Sequence, residues 1–404
     1  MVFRGRCRGE PFHAGVLQIQ LVDRRLVFRC VGWIGAFLVS VPLPVGISFY
    51  TFQGISLVVD VWRGRTHDKG IVVPRSFARH LERTMLYITF FPQLVAGPIV
   101  KAHEFLCQIG GKSVRVIRWG TVFRALVLGY FLKMVVADNL KDFTFWMAYP
   151  YFQNRGTGSL VLMLIGYGAQ IFADFAGYSL IAIGVAGLFG YSLPRNFYFP
   201  YISASFREFW KRWHISLSSF LMEYLYIPLG GNRHGRVRTY LNLLLTMMLG
   251  GLWHGAAWSY LAWGTYHGLL LAGERLLTGG RRGGGVGGVA PHGCGAVLKQ
   301  VLRIGFVLVM VTMGWLFFVL PDFSHVLLYL RHICSPGSAV FLDPKLLPIV
   351  LYVLPVVIYH LVWYFRDRRF VKVLRRYDPV FAGAMLFLIV VNSGSAADFV
   401  YFQF

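Results

Sequence analysis

Apolar residues in this chain come in long runs separated by short basic stretches. From Val31 to Trp62 the chain is apolar apart from Pro42 and Pro44, and Arg63–Arg83 follows as a basic loop. Met85–Val100 is short and carries Pro92 and Pro98, the pattern of a broken or re-entrant helix buried in protein. Ile117–Ala137 predicts a span, interrupted by Arg124 and Lys133, while Gly158–Tyr191 is too long for one crossing and predicts two, hinged near Gly177. Thr239–Leu252 and Ala256–Leu271 flank a break at Trp253-His254-Gly255, and Val297–Leu320, Leu346–Phe365 and Val380–Val391 complete the series. The runs are continuous rather than alternating, which favours helices over a barrel. Several can cross a hydrocarbon core of about 30 Å. The expectation is an all-α, polytopic integral membrane protein with about eight to ten membrane segments.

Ser203–Tyr226 breaks this pattern. Phe206, Phe209, Trp210, Trp213, Leu217, Phe220, Leu221 and Leu225 recur at helical spacing, with Arg207, Lys211, Arg212, His214 and Ser218 among the remainder. This predicts an amphipathic helix lying at a membrane interface and ending at Pro228 and the turn Gly230-Gly231-Asn232. His214 is then expected near the interface rather than at full depth.

Composition agrees with the hydropathy: the 404 residues are 56% hydrophobic and 14% charged, with a mean hydropathy of +0.57. Forty Lys and Arg against seventeen Asp and Glu leave a net charge of +23. On a soluble chain this would suggest nucleic acid. Here the basic residues crowd the ends of apolar runs, as cytoplasmic loops do, so no nucleic-acid partner is expected. A cytoplasmic anionic donor such as a coenzyme A thioester can use the same patches. Five scattered cysteines without a CxxC form neither a disulfide framework nor a metal site. The glycine-rich stretch Gly279–Gly295, flanked by Arg275, Arg281, Arg282, Lys299 and Arg303, reads as a flexible cytoplasmic linker. Arg366–Arg376 also reads as cytoplasmic. Met1–Arg29 is arginine-rich, has no long apolar segment, and is not a signal peptide.

The candidate chemistry centres on His254. From Thr239 to Gly273 there is no Asp, Glu, Lys or Arg, so this ring lies at membrane depth with no charged neighbour in sequence. Ionisable groups there are costly and usually line a polar cavity or do chemistry, although a packing histidine donating to a carbonyl is the plainer alternative. If the helix carrying His214 folds back on the Thr239 segment, the two histidines can face one cavity. A neutral imidazole between a hydroxyl and a thioester suits acyl transfer by general-base or covalent catalysis. No GxxxxGK[ST], GxSxG or HExxH motif competes, and no metal is expected. Asp174, alone in an apolar run, reads as a structural hydrogen-bonding group rather than a proton carrier.

Three ordered stretches carry a resemblance: Phe209-Trp210-Lys211-Arg212-Trp213-His214-Ile215-Ser216-Leu217-Ser218, Tyr226-Ile227-Pro228-Leu229-Gly230-Gly231-Asn232-Arg233 and Gly250-Gly251-Leu252-Trp253-His254-Gly255. They are similar to the core signature of membrane-bound O-acyltransferases, in the branch that O-acetylates alginate. Leu43–Gln53, Phe91–Ile99, Gln170–Ser179 and Phe399–Phe404 resemble the same branch, so the likeness runs in order from about residue 41 to 404. The resemblance implies that His254 stands for the family's essential membrane-embedded histidine and His214 for the second. It implies an inner-membrane O-acetyltransferase that takes acetyl from a cytoplasmic donor, acetyl-CoA, with no permanently bound cofactor. Periplasmic acetyltransferase- or esterase-like partners would then place the acetyl on an exported polysaccharide such as alginate. A peptidoglycan or teichoic-acid-type acceptor is the alternative, and a non-enzymatic transporter lined by the two histidines is the second.

Several positions depart from the branch. Its members begin with two or three apolar helices before the Pro-Val-Gly-Ile-Ser motif, so residues 1–40 are expected to lie outside the acyltransferase core and the chain to be N-terminally short. Leu180 stands where an Asp is common, Val319 where an Arg is common, and Met222-Glu223 where an Arg-Asp pair is common. The last change predicts the loss of an ion pair there.

Overall fold

The computed structural model describes residues 46–64, 73–94, 97–255, 257–279, 294–335 and 342–395. Residues 1–40, the Leu43-Pro44-Val45 motif start, part of the basic loop, nearly all of the glycine-rich linker and the Phe399–Phe404 motif lie outside the described residues. Every regular element described is helical. The main helices are α1 (Ile47–Gly64), α2 (Phe77–Thr89), α3 (Trp119–Tyr130), α4 (Thr157–Leu188), α5 (Phe206–Arg212), α6 (Ile215–Leu221), α7 (Gly235–His254) and α8 (Trp258–Leu277). They continue as α9 (Cys294–Gly314), α10 (Leu316–Val319), α11 (Phe323–Cys334), α12 (Pro348–Tyr364) and α13 (Asp378–Val391). Among the described residues, four stretches are long and apolar enough to cross a membrane: Trp119–Met147, Thr157–Leu188, Gly295–Val319 and Pro344–Tyr364.

The centre of the bundle is α4, with Ile171, Phe172 and Phe175 fully buried. It is a single helix of 32 residues, not the two crossings predicted. At 1.5 Å per residue it runs about 48 Å, so it overshoots a hydrocarbon core of about 30 Å. Gly177 is a contact point rather than a hinge: a Cβ there would meet the Gly129 carbonyl oxygen at 2.8 Å. The missing side chain lets α3 and α4 pack backbone to backbone, as small residues allow in membrane bundles.

Beyond α3 the helix widens into a π-helical stretch, Phe131–Ala137. It carries Lys133, whose Nζ lies 2.7 Å from Asp138 and 2.8 Å from Asp174. Asp174 is thereby engaged in a buried ion triad between adjoining helices, in keeping with the structural role read for it. The broken segment expected over Met85–Val100 is also present, since α2 stops at Thr89 and only a short turn of helix, Phe91–Leu94, follows.

The predicted amphipathic helix of Ser203–Tyr226 is corrected in two respects. It is broken into α5, α6 and a π-helical turn, Met222–Tyr226, with the break at Trp213-His214. Its centre is also covered by protein: Phe209, Trp213, His214 and Leu217 are all buried by other parts of the chain. Even Arg212 is buried; it pairs with Glu208 at 2.6 Å and lies 4.6 Å from the Trp363 ring. Helical periodicity marks which residues share a face, but it does not say whether lipid or protein covers that face.

Candidate active site

His214 stands between α5 and α6 with φ 43° and ψ 55°, a left-handed conformation that few non-glycine residues adopt. The surroundings hold it there. Tyr198 N–H donates to the Arg212 carbonyl and Ile215 N–H to the Asn196 carbonyl, both at 2.9 Å, so the segment before α5 brackets the reversal. The Asn196 side chain fastens three parts of the molecule. Its Nδ2 donates to Ser179 Oγ on α4 at 2.9 Å, its Oδ1 accepts from Ser216 Oγ at 2.6 Å, and Ser216 Oγ accepts from the backbone N–H of Ile99 at 3.0 Å. Strained backbone of this kind persists where neighbours over-determine it and is enriched at functional sites.

His254 is the last residue of α7 and is buried. The Trp253-His254-Gly255 break is the tip of a tight hairpin between α7 and α8. A Cβ on Gly251 would fall 2.2 Å from the Tyr260 carbonyl oxygen, and one on Gly264 2.3 Å from that of Met247, so these helices touch through their backbones. The crossing sets His254 against Trp263, 5.2 Å between ring centres, and Phe318 of α10 closes over it at 5.1 Å.

Trp253 joins the two histidines. Its ring centre lies 4.9 Å from that of His254 and 6.0 Å from that of His214, and the two imidazoles are near enough to interact electrostatically. Trp253 is itself held by Phe52 and Phe49 of α1 at 5.2 and 5.5 Å. The structure therefore gathers both sequence-predicted histidines, from α5–α6 and from α7, into one buried aromatic site. Carboxylates from the sequence are absent from the stretch Thr239–Gly273 that forms its floor.

Some site residues were not singled out by the sequence reading. Asn196 was missed because no pattern distinguishes a loop asparagine that bridges helices. Trp263, Phe318 and His267 were missed although a signal existed for the last. His267 lies in the same charge-free window as His254, four positions after Trp263, on the same face of α8. It is fully buried.

Near the end of α1 the polar chemistry is ionic. Asp60 is buried and accepts from Tyr224 O–H at 2.7 Å and from His103 Nδ1–H at 2.8 Å. That bond to Asp60 is the main reason the His103 imidazole is held above its ordinary range. Glu223 pairs with Lys101 at 2.6 Å and Arg63 at 3.4 Å, so the departure from the Arg-Asp pattern does not cost this position its ion pair. Among the described residues, Asp60, His103 and Glu223 bring three potential metal-ligand atoms within 4.8 Å of one another. Lysine, arginine and tyrosine donors already engage the two carboxylates, so the cluster works as a clamp between α1, residues 101–104 and the Met222–Tyr226 turn.

Residues 28–283, which include both histidines, match the family model for MBOAT, the membrane-bound O-acyltransferase family. The chain is 42% identical over 243 residues to a probable alginate O-acetylase AlgI of Pseudomonas putida, covering 59% of this chain and 47% of that protein. It is 37% identical over 315 residues to the Pseudomonas fluorescens protein of the same name, covering 77% and 58%. A peptidoglycan O-acetyltransferase of Helicobacter pylori is 37% identical over 257 residues, covering 58% and 48%. The chain spans about half the length of the curated relatives it matches. With the family match covering more than half of its residues and the paired histidines buried together, the chain belongs to the membrane-bound O-acyltransferase family.

Proposed function

We propose that this chain is the acyl-transferring membrane subunit of a polysaccharide O-acetylation system, working in the bacterial inner membrane. The observation that carries the reading is the burial of His214 and His254 around Trp253, in a floor free of charged side chains. A base at that depth is useful only to a reaction whose substrates arrive from outside the bundle.

The chemistry follows from a neutral imidazole. His254 takes the proton of an acceptor hydroxyl as its oxygen bonds to the thioester carbonyl carbon. Collapse of the tetrahedral intermediate breaks the carbon–sulfur bond, and the imidazolium returns its proton to the departing thiolate. General-base assistance of this kind is worth about a hundredfold or more. His214, held by its bracketed turn, positions a reactant rather than transferring the acyl group. Acetyl-CoA is the proposed donor, reaching the site from the cytoplasmic side, where the basic loops Arg63–Arg83, Arg275–Arg303 and Arg366–Arg376 are placed by the positive-inside rule. Periplasmic acetyltransferase- or esterase-like partners complete delivery to the polymer. Alginate is the favoured acceptor because the proteins named for alginate match more of this chain. The Helicobacter pylori relative supports a wall-polymer acceptor as the second reading.

The test is polymer acetylation in cells that carry the chain or its His254→Ala variant. The expected result is a loss of at least about a hundredfold with membrane-inserted protein unchanged. Undiminished acetylation in that variant overturns the assignment.

A further inference from the structure

Around Trp263 the core also holds a second cluster of polar rings that the acyl-transfer chemistry does not use. His267 is fully buried, and among the described residues no protein donor or acceptor lies within hydrogen-bonding reach of its Nδ1 or its Nε2. The indole N–H groups of Trp210 and Trp263 are likewise buried without a protein partner among the described residues. The three rings are mutual neighbours: Trp263–His267 4.9 Å, Trp210–His267 5.2 Å and Trp210–Trp263 5.6 Å between centres. Phe209 stacks on His267 at 6.3 Å. Trp263 is shared with the His254 site, so the cluster adjoins the reacting ring.

Buried polar atoms are almost always paired, and each one that is not is destabilising. A cluster of four such nitrogens next to a catalytic ring is therefore a poor packing solution. Phenylalanine would fill the place of His267 against Phe209 and Trp210 without any such cost. Gly314 of α9 packs its backbone close to this ring, since any Cβ there would lie 2.9 Å from His267 Nε2.

We infer that His267, with the indole N–H groups of Trp210 and Trp263, binds an uncharged hydrogen-bonding group of the substrate, a hydroxyl or a secondary amide, while the acyl group is transferred at His254. A neutral imidazole offers one N–H and one lone pair, so its ligand must both donate and accept. The two indoles offer donors alone, which adds a preference for oxygen acceptors such as a carbonyl. A charged group is disfavoured, because the window Thr239–Gly273 supplies no counter-ion. Both the amide-bearing arm of a coenzyme A thioester and a sugar hydroxyl have this chemistry. His267 is on this view a binding and positioning residue, and the inference rests on the acyl-transfer reading above.

The experiment compares the wild-type chain with His267→Phe, His267→Gln and His254→Ala in cell-envelope preparations that retain the periplasmic partners, supplied with acetyl-CoA and deacetylated alginate, each varied in turn. Thermal unfolding is followed in detergent. His267→Phe is expected to lower kcat/KM about tenfold or more, the loss falling on KM for whichever substrate the ring holds, while the unfolding temperature stays level or rises. His267→Gln, which both donates and accepts, should recover most of the activity. A rise in KM for acetyl-CoA identifies the donor arm as the ligand, and a rise for the polymer identifies the acceptor. Unchanged kinetics in His267→Phe overturn the inference, as does a fall in unfolding temperature that accounts for the lost activity. If His254→Ala transfers acetyl as well as the wild type does, the acyl-transfer reading itself fails. That outcome is distinct from a failure at His267 alone.

Discussion

Lys133 and His267 both sit on apolar helices and both are largely or wholly buried, yet their neighbourhoods differ. Around Lys133 the protein supplies its own counter-charges, Asp138 and Asp174, each within 2.8 Å. The Asp60–His103–Tyr224 and Glu223–Lys101 contacts follow the same rule. Around His267, Trp210 and Trp263 the described residues supply rings but no partners for the polar nitrogens. The first kind of region closes on itself and fixes helices in place. The second is the region proposed above to hold a group of the substrate. Lipid tails cannot satisfy a polar atom, so the comparison sets a paired scaffold against a proposed binding site.

The strongest way to break the comparison is to remove the cation from the closed region. Lys133→Met leaves Asp138 and Asp174 facing each other without a positive charge, and losing one member of a buried ion pair costs about 3–5 kcal/mol. Detergent unfolding should show a large drop in the midpoint together with a fall in membrane yield. Stability close to that of the wild type would mean that the triad is not scaffold.

A smaller effect is expected at the hinge between scaffold and site. Asn196→Ala strips the side-chain partner from Ser179 and from Ser216, at a cost of about 1–3 kcal/mol. Because the same side chain holds Ser216, two residues beyond His214, acetyl transfer should fall further than the unfolding shift accounts for. Equal losses in the two measurements would reduce Asn196 to simple packing.

At the site itself, His214→Gln retains hydrogen bonding without titration. It should lower polymer acetylation by about tenfold, well short of the loss of a general base. A folded His214→Gln protein as inactive as His254→Ala would show that the two rings share the proton transfer.

The smallest effect is a pH dependence at the ionic clamp. His103 is held above its ordinary value near 6.5 by the bond to Asp60. A raised folded-state value makes this contribution to stability complete below about pH 6.5 and lost as the pH rises through the folded-state value. The unfolding midpoint should therefore sag slightly over that rise in the wild type and stay flatter in His103→Gln. Identical pH profiles for the two proteins would remove His103 from the clamp.

Much of the bundle was legible in the sequence, because lipid forces each backbone polar group to be satisfied within its own segment and so writes spans as long apolar runs. Pro92 correctly marked a break after α2, and the charge-free window correctly marked His254 as buried. The double crossing predicted for Gly158–Tyr191 failed because run length was taken as a limit, whereas Gly177 serves a helix contact and the helix simply continues. The single unbroken helix predicted over Ser203–Tyr226 failed for a related reason. Its apolar face is covered by Trp263, Trp315 and Phe197 rather than by lipid, and the sequence of one segment does not name what covers it. Asn196 was illegible in principle, since its partners lie on α4 and α6, distant from it in sequence. His267 was legible and passed over, for it satisfies the same criterion as His254.

The backbone contact between α7 and α8 also determines how this site can open. With Gly251 and Gly264 in direct apposition there is no layer of side chains between the two helices to be compressed or rearranged. His254, Trp263 and His267 accordingly travel as one rigid piece. Among the described residues, Phe318 meets that piece, and Phe52 meets the adjoining Trp253, through side chains alone. If the proposed reactants enter here, these rings are the parts expected to swing aside, like shutters on a fixed frame.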